Sequence, residues 1–251
     1  MELIEHPPIL RVPHIPDQVL YMWIVMAVLV VVSIVATRRL HLLPHGTQNM
    51  MEVILEQYVK ELDETIGHDG RRYLPLISTL GLFILTSNLM GLVPVLVAPT
   101  ANLNTTAACA LIVFFTYHWI GARKQGVIPY LKHFAGPVPT LLKPLMFVIE
   151  IISHCARPLS LSLRLFGNMM AGHILLAIFF FMMGLDGMLG WALSGSLGGI
   201  LIGAPATLIM VVFVVGFLLP LKILVALIQT FIFCKLAMLY IAAAVEETEH
   251  H

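Results

Sequence analysis

The sequence predicts an all-α polytopic membrane protein with about five membrane helices, the last two long and strongly tilted as a hairpin, and one amphipathic surface helix. Hydrophobic residues make up 59% of the 251 and charged residues only 11%, whereas a soluble domain has about 25% charged residues. Several apolar runs reach the ~20 residues that a bilayer span needs, and two are about twice as long. The formal net charge is zero, so no basic surface for nucleic acid is expected.

The first predicted span is Val19 to Thr37, closed by Arg38 and Arg39. Residues 1–18 are acidic and proline-rich, whereas a cleaved signal peptide begins with basic residues and continues into a short apolar core. This first span is therefore expected to stay in the mature chain. Residues 47–66 alternate apolar and acidic side chains at helical spacing. This pattern predicts an amphipathic helix on the membrane surface, held there by lipid or by protein packing.

Tyr73 to Val97 is the second predicted span, and about Ala107 to Ile120 is the third. The runs from Pro144 to Met183 and from Gly199 to Val245 would form helices of about 60 and 70 Å, against a hydrocarbon thickness of about 30 Å. A turn inside the hydrocarbon is tolerated only where protein or water satisfies the backbone. Because no Gly-Pro or Asn-Gly turn divides either run, we expect two long tilted helices joined by the external loop GLDGMLGWALSGSLGG.

The distribution of Lys and Arg in the short loops predicts the orientation. It places 38–72 and 122–143 in the cytoplasm and 98–106 and 184–198 outside, with the N-terminal segment 1–18 external and the acidic tail 246–251 cytoplasmic. No repeat divides the chain, so we expect one membrane domain over 1–251. Cys109, Cys155 and Cys234 form no CxxC pair and are expected to be buried small hydrophobes, with neither a disulfide framework nor a metal site.

Charged and polar residues interrupt the two long apolar runs. An arginine in hydrocarbon costs about 2.5–3.5 kcal/mol on insertion scales, so Arg164 in SLSLRLFGNMMAGH needs a partner or water. Glu150, Arg157 and Arg164 are seven residues apart, which predicts one polar stripe along the helix. The full set in the first run is Glu150, His154, Arg157, Ser160, Ser162, Arg164, Asn168 and His173, and in the second run it is Lys222, Gln229 and Lys235.

His173 lies nine residues beyond Arg164, which turns it to the opposite side of the helix and about 13 Å toward the external loop. This offset predicts a separate polar pathway on the external side, whereas Glu150 and His154 belong to one on the cytoplasmic side. Counting the charges within the two runs leaves one acid, Glu150, against four bases. Because arginine cannot neutralise itself, Arg164 predicts an acidic group on another subunit, and the alternative is a purely structural ion pair.

Other polar residues have simpler interpretations. Lys235 is expected to extend to the cytoplasmic interface. Arg157 either orients Glu150 or has a role of its own, and Ser160, Ser162 and Gln229 are of the types that join membrane helices by hydrogen bonds.

Several blocks in this order resemble subunit a of the F-type ATP synthase membrane sector, the ATPase A chain family, over residues 15–245. They are LFILTSNLMGLVP, PTANLNTT, FVIEIISH, PLSLSLRLFGNMMAGH and ALIQTFIFCKLAMLYI. The resemblance implies an ion-conducting stator subunit, with 144–245 as an ion-translocating tilted helix pair against a ring of c subunits. Its partners are then the c ring, the b subunits of the peripheral stalk and membrane lipid in a bacterial inner membrane, which we favour over an organellar one.

By resemblance, Arg164 faces the ring carboxylates, Glu150 belongs to the cytoplasmic half-channel, and Asn168, His173 and Gln229 belong to the external one. His154 and Ser160 would support these routes. Lys222 and Lys235 depart from the family pattern. Two basic groups at Lys222 and His173 suggest a neutral pair that relays protons, and they weaken a sodium-binding interpretation because cations are poor neighbours for sodium.

Two other classes of function stay open on the residues alone. An independent secondary transporter or ion channel would need broken helices and commonly shows a repeated half, which this sequence lacks. An enzyme would need a motif such as HExxH or a nucleotide-binding GxxxxGK[ST] loop, and neither occurs, so no cofactor and no catalysis by the chain itself are expected.

Overall fold

A computed structural model describes residues 16–38, 46–93, 96–126, 142–184 and 187–246, and these residues are almost entirely helical. Five helical stretches within these ranges are long and apolar enough to cross a membrane, which confirms the predicted fold class. The helices are α1 (Asp17–Thr37), α2 (Thr47–Thr65), α3 (Leu74–Met90), α4 (Leu103–Gln125), α5 (Lys143–Met183), α6 (Met188–Leu193), α7 (Ala204–Phe213) and α8 (Leu219–Glu246). Short 3-10 helices at His68–Tyr73 and Pro99–Ala101 precede α3 and α4.

The second and third spans differ from their predicted bounds. The second was predicted to reach Val97, but α3 ends at Met90, and the apolar residues Leu92, Val93, Leu96 and Val97 lie beyond its end. Hydropathy does not distinguish an apolar connection from the end of a span, which explains the error. The third is longer than predicted because α4 begins at Leu103, where the Asn102 side chain accepts a hydrogen bond from the backbone N–H of Asn104 at 2.8 Å.

As predicted, neither of the two long apolar runs folds back on itself. Helix α5 holds 41 residues without a break. The second run is one helical stretch of 47 residues from Gly199 to Val245. Helices of about 60–70 Å exceed the hydrocarbon thickness of about 30 Å, so they must tilt or project beyond it.

Two π-helical turns interrupt the second long stretch, at Gly199–Gly203 and Val214–Leu218. Each turn ends two residues before a proline, Pro205 or Pro220. A proline ring collides with the carbonyl four residues earlier and has no N–H to donate. The wider π turn gives the ring room, so the helix continues past both prolines.

The two long helices form the predicted hairpin. Leu176 of α5 packs with Val214 and Leu218 in a cluster with adjoining phenylalanines. The connection between the helices is not entirely loop, since it contains the short helix α6.

The main core lies where α3 and α4 pack along α8 and where α4 packs along α5. Its fully buried side chains include Ile84 of α3, Tyr117 of α4, Leu165 of α5 and Phe233 of α8. In the most apolar part of the stretch Lys143–Leu193, which contains α5, only 6% of the residues are buried inside the chain. Most of the α5 surface is therefore available to lipid or to another subunit.

Helix α2 has the predicted amphipathic character, and protein packing holds it. Leu62 is completely buried in the main core. The Tyr58 hydroxyl lies 3.7 Å from the Cys234 sulfur, and burial raises the pKa of Tyr58. Gly81 of α3 permits this approach, because a Cβ there would overlap the Tyr58 hydroxyl.

An ion pair joins α2 to α8. The Lys235 ammonium donates to Glu61 at 2.5 Å and to the Thr65 hydroxyl at 2.9 Å. The sequence predicts only that Lys235 extends toward the membrane interface. In the structure its ammonium makes a specific contact with α2, which the sequence did not indicate.

The cysteine prediction is correct at two positions and wrong at the third. Cys109 and Cys234 are buried and free, but Cys155 is exposed on α5. The apolar residues next to Cys155 in the sequence lie on the surface of α5 and not in the core. The predicted external segment 1–18 and the tail 246–251 lie almost wholly outside the described residues, as does much of the connection 122–143.

Replacing Glu61 by Gln should destabilise the attachment of α2 to α8. The free energy of unfolding should fall by on the order of 2 kcal/mol. This is less than the about 3–5 kcal/mol for breaking a fully buried pair, because 33% of the Lys235 side chain is exposed. Combining Glu61→Lys with Lys235→Glu should restore most of the stability. Thermal unfolding of the detergent-solubilised chain measures both, with the exposed Glu56→Gln as the matched control, and equal stability of Glu61→Gln and Glu56→Gln would contradict the prediction.

Candidate functional site

Arg164 lies on an exposed face of α5 among small side chains. Residues spaced by three or four positions share one face of a helix, and small side chains on a membrane helix let another helix approach closely. The exposed members of this row, which we call the small-residue row, are Ser153, Ala156, Ser160, Gly167 and Ala171. The guanidinium is therefore presented on a surface shaped for close contact with another helix.

No hydrogen bond or ion pair joins Arg164 to the residues that the structure describes. The Ser160 hydroxyl donates to the Arg157 carbonyl at 3.0 Å, and the Arg157 guanidinium lies 5.5 Å from the centre of the Tyr240 ring. Arg157 thus packs on Tyr240 rather than orienting Glu150. The predicted stripe of charged residues exists on α5, but its members have different neighbours.

Glu150 and His154 form a cluster with α4 at the predicted cytoplasmic end. The carboxylate Oε1 of Glu150 lies 3.2 Å from Nε2 of His154, and Nδ1 of the same ring lies 3.2 Å from the Tyr117 hydroxyl. The ring centre of His118 is 5.2 Å from that of His154. These residues therefore belong together, as predicted, and α4 adds Tyr117 and His118, which the sequence analysis did not select.

A second polar cluster surrounds His173 at the other end of α5. The His173 ring approaches the end of α3 so closely that a Cβ on Gly91 would lie 2.7 Å from Nε2. Lys222 of α8 donates to the Gly172 carbonyl at 2.8 Å. The Lys222 ammonium is thus bound to the backbone of α5 and lies beside His173.

Three predicted residues of this region carry buried nitrogens without a hydrogen-bond partner among the described residues. They are Nδ2 of Asn168, Nε2 of His173 and Nε2 of Gln229. Buried polar atoms are nearly always paired with protein or water, and each unpaired one calls for an explanation. Two of the three lie on α5 and the third on α8.

Sequence reasoning missed a set of buried polar residues that continues this cluster. Asn88 of α3 donates to the Thr230 hydroxyl at 3.4 Å and accepts from the Thr100 hydroxyl at 2.8 Å. Ser87 is buried, and its hydroxyl has no partner within the described ranges. Their signal was available, since Ser87 and Asn88 are polar residues inside an apolar span.

The two clusters lie on opposite sides of Arg164 along α5. Glu150 is about 21 Å from Arg164 along the helix axis, and His173 is about 13 Å away in the other direction. Leu161, Leu165 and Met169 are buried between them. The two clusters are therefore separate along the helix. Within the described residues, no group of His, Cys, Asp or Glu could hold a metal ion.

Comparison with known proteins gives a consistent family. The model of the ATP synthase A chain family matches residues 19–242. ATP synthase subunit a of Geobacter sulfurreducens (strain ATCC 51573 / DSM 12127 / PCA) is 45% identical over 231 residues, covering 92% of this chain and 88% of the relative. Subunit a of Trichlorobacter lovleyi is 44% identical, covering 93% and 91%, and ATP synthase subunit a 1 of Syntrophotalea carbinolica is 47% identical, covering 91% and 86%.

A cysteine in place of Asn168 or Gln229 should react with a water-soluble thiol reagent in a background without the three native cysteines. The reason is that the unpaired buried nitrogens at both positions indicate access to water. The control is Leu218→Cys, since Leu218 is buried, like Gln229, but lies in an apolar cluster. Labelling followed by mass measurement checks the result, and three equally inert cysteines would contradict it.

Proposed function

The chain belongs to the ATP synthase A chain family, and from this membership we propose that it is the ion-conducting stator subunit of a bacterial rotary ATP synthase. In this role it provides two aqueous half-channels that carry protons to and from the carboxylates of a c-subunit ring. The observation that carries the proposal is Arg164, a permanent charge on the exposed small-residue row of α5 without an acidic partner among the described residues.

The energetics of Arg164 support a rotor as its neighbour. Facing lipid, the charge would cost about 2.5–3.5 kcal/mol or more. A carboxylate on an adjacent helix removes this cost, and the small-residue row lets such a helix come close. A ring that presents one carboxylate after another supplies an anion at every step of rotation.

The external half-channel is assigned to the cluster around His173. Its members are Asn168, His173, Lys222 and Gln229, and Ser87 and Asn88 extend it into α3. The buried nitrogens without protein partners support this assignment, because a proton route needs groups that exchange hydrogen bonds with water. The cytoplasmic half-channel is assigned to Glu150 with His154, and Ser160 lies between it and Arg164.

The proton path then follows from the separation of the two clusters. A proton enters through the external route and neutralises a ring carboxylate, which can move into lipid without the cost of a buried charge. After nearly a full turn, it reaches the cytoplasmic route and is released. Arg164 favours the ionised carboxylate and repels a cation that would pass directly from one route to the other. Because lysine can lose its proton in such a site, it is a poor substitute.

The assembly and orientation follow from the same proposal. The partners are the c ring, the b subunits of the peripheral stalk and membrane lipid, in a bacterial inner membrane with the N-terminus outside and the C-terminus in the cytoplasm. The nucleotide chemistry belongs to other subunits of the complex. Residues 144–245 form the ion-translocating helix pair of a single membrane domain.

The substitution Arg164→Ala should abolish ATP-driven proton pumping in inverted membrane vesicles, since the ring would lose its fixed cation. Arg164→Lys should also pump far below wild type. The matched control is Arg123→Ala, which removes an exposed arginine at the end of α4 and should pump normally. Undiminished pumping by Arg164→Ala would contradict the assigned role.

Proton pumping by the wild type should not require sodium. The amine of Lys222 is bonded to the Gly172 carbonyl beside His173, and two basic side chains are poor neighbours for a sodium ion. Initial pumping rates with and without added sodium salts, at constant ionic strength, measure this. Strict dependence on sodium would require a different ion assignment.

A further inference from the structure

The imidazole of His154 is held between an acid and a hydroxyl, and no step described so far requires that arrangement. We propose that Glu150 and His154 act as a pair that collects protons from buffer molecules at the cytoplasmic mouth, with Tyr117 as its positioning residue. This inference rests on the proposed function and names how the cytoplasmic route is supplied.

Tyr117 provides a rigid anchor for the pair. Its side chain is 2% exposed in the main core, and its ring packs edge-on against Phe114 with centres 5.5 Å apart. The hydroxyl meets Nδ1 of His154 at 3.2 Å. The ring of His154 is thus fixed from the buried side, with Nε2 directed to Glu150.

The pair becomes progressively more accessible away from this anchor. The His154 side chain is 15% exposed and the Glu150 side chain 36%. Along α5 these residues lie about 15 and 21 Å from Arg164. The residue farther from Arg164, Glu150, is also the more exposed of the two, so small solutes can reach the pair from that side, and it connects inward through α5.

The supply of protons at neutral pH explains why such a pair is useful. Free protons are present at about 10⁻⁷ M, so capture at a diffusion limit of about 10¹⁰ M⁻¹s⁻¹ delivers on the order of 10³ protons per second. Buffer molecules are far more abundant than free protons. A buffer acid can pass its proton directly to the Glu150–His154 pair, because a positioned carboxylate and imidazole accept protons by general acid–base transfer.

The proton balance is simple. A buffer acid gives one proton to the Glu150–His154 pair and leaves as its conjugate base. The added proton is held on the Glu150 carboxylate or on the His154 ring, and the Tyr117 hydroxyl stays in contact with Nδ1 in either state. Passing that proton inward restores the carboxylate and the neutral ring, and release to the cytoplasm runs in reverse.

The test uses inverted vesicles that contain the whole complex, so that the cytoplasmic mouth faces the medium. ATP hydrolysis is measured in the presence of a protonophore, which removes the opposing gradient, in weakly buffered medium and again after adding imidazole. His154→Ala and His154→Gln should lose about three- to tenfold of the rate in weak buffer, less than the 10²–10⁴ typical of removing a general acid or base, because free protons still reach Glu150. Imidazole should restore both variants to within about twofold of the wild type.

Two further variants separate a proton-transfer role from a structural one. Tyr117→Phe keeps the ring packing and should show a smaller loss that imidazole also restores. Cys155→Ala, on the exposed surface next to His154, should match the wild type in both media. A normal rate for His154→Gln in weak buffer would overturn the inference, and so would a loss that imidazole does not restore.

Failure of this inference is distinguishable from failure of the proposed function. If Arg164→Ala abolishes proton pumping in the same vesicles while His154→Gln is unaffected, only the collecting pair is wrong. If Arg164→Ala pumps normally, the proposed function itself fails.

Discussion

A guanidinium cannot give up its charge, and hydrocarbon cannot solvate it, and the arrangement of this chain follows from that constraint. Arg164 stands on the exposed face of α5, where the small-residue row leaves room for another helix. Its counter-anion has to come from outside the described part of the chain. A membrane protein that keeps such a group has one surface built for an acidic partner, and the rest of the fold supports that surface.

Helix α5 can present Arg164 outward because the face beside it is firmly held. Leu161 and Leu165 are buried against α4 and α8, whereas the small-residue row stays uncovered. The same helix is long enough to carry polar residues well beyond Arg164 in both directions. Continuous length therefore places two polar clusters at different depths, and the helical period turns His173 away from Arg164.

The sequence was sufficient for the five spans, the two unbroken long helices, the amphipathic α2 and most of the residues that form the two polar clusters. It was wrong about the end of the second span, because the residues after Met90, such as Leu92 and Val97, are as apolar as a membrane helix without being helical. It was also wrong about Cys155, because hydropathy does not distinguish a lipid-facing position from a core position. Ser87 and Asn88 were missed although their polarity inside α3 was visible.

By itself, the sequence determined which groups carry charge and how far apart they lie along each helix, because helical geometry converts spacing directly into distance and direction. Only the tertiary structure decided which groups touch. Asn88 meets Thr230 across 142 residues of sequence, and the Glu61–Lys235 contact spans 174. Such contacts depend on how separate helices pack and on the register of their faces, and the periodicity of a single helix contains no information about either.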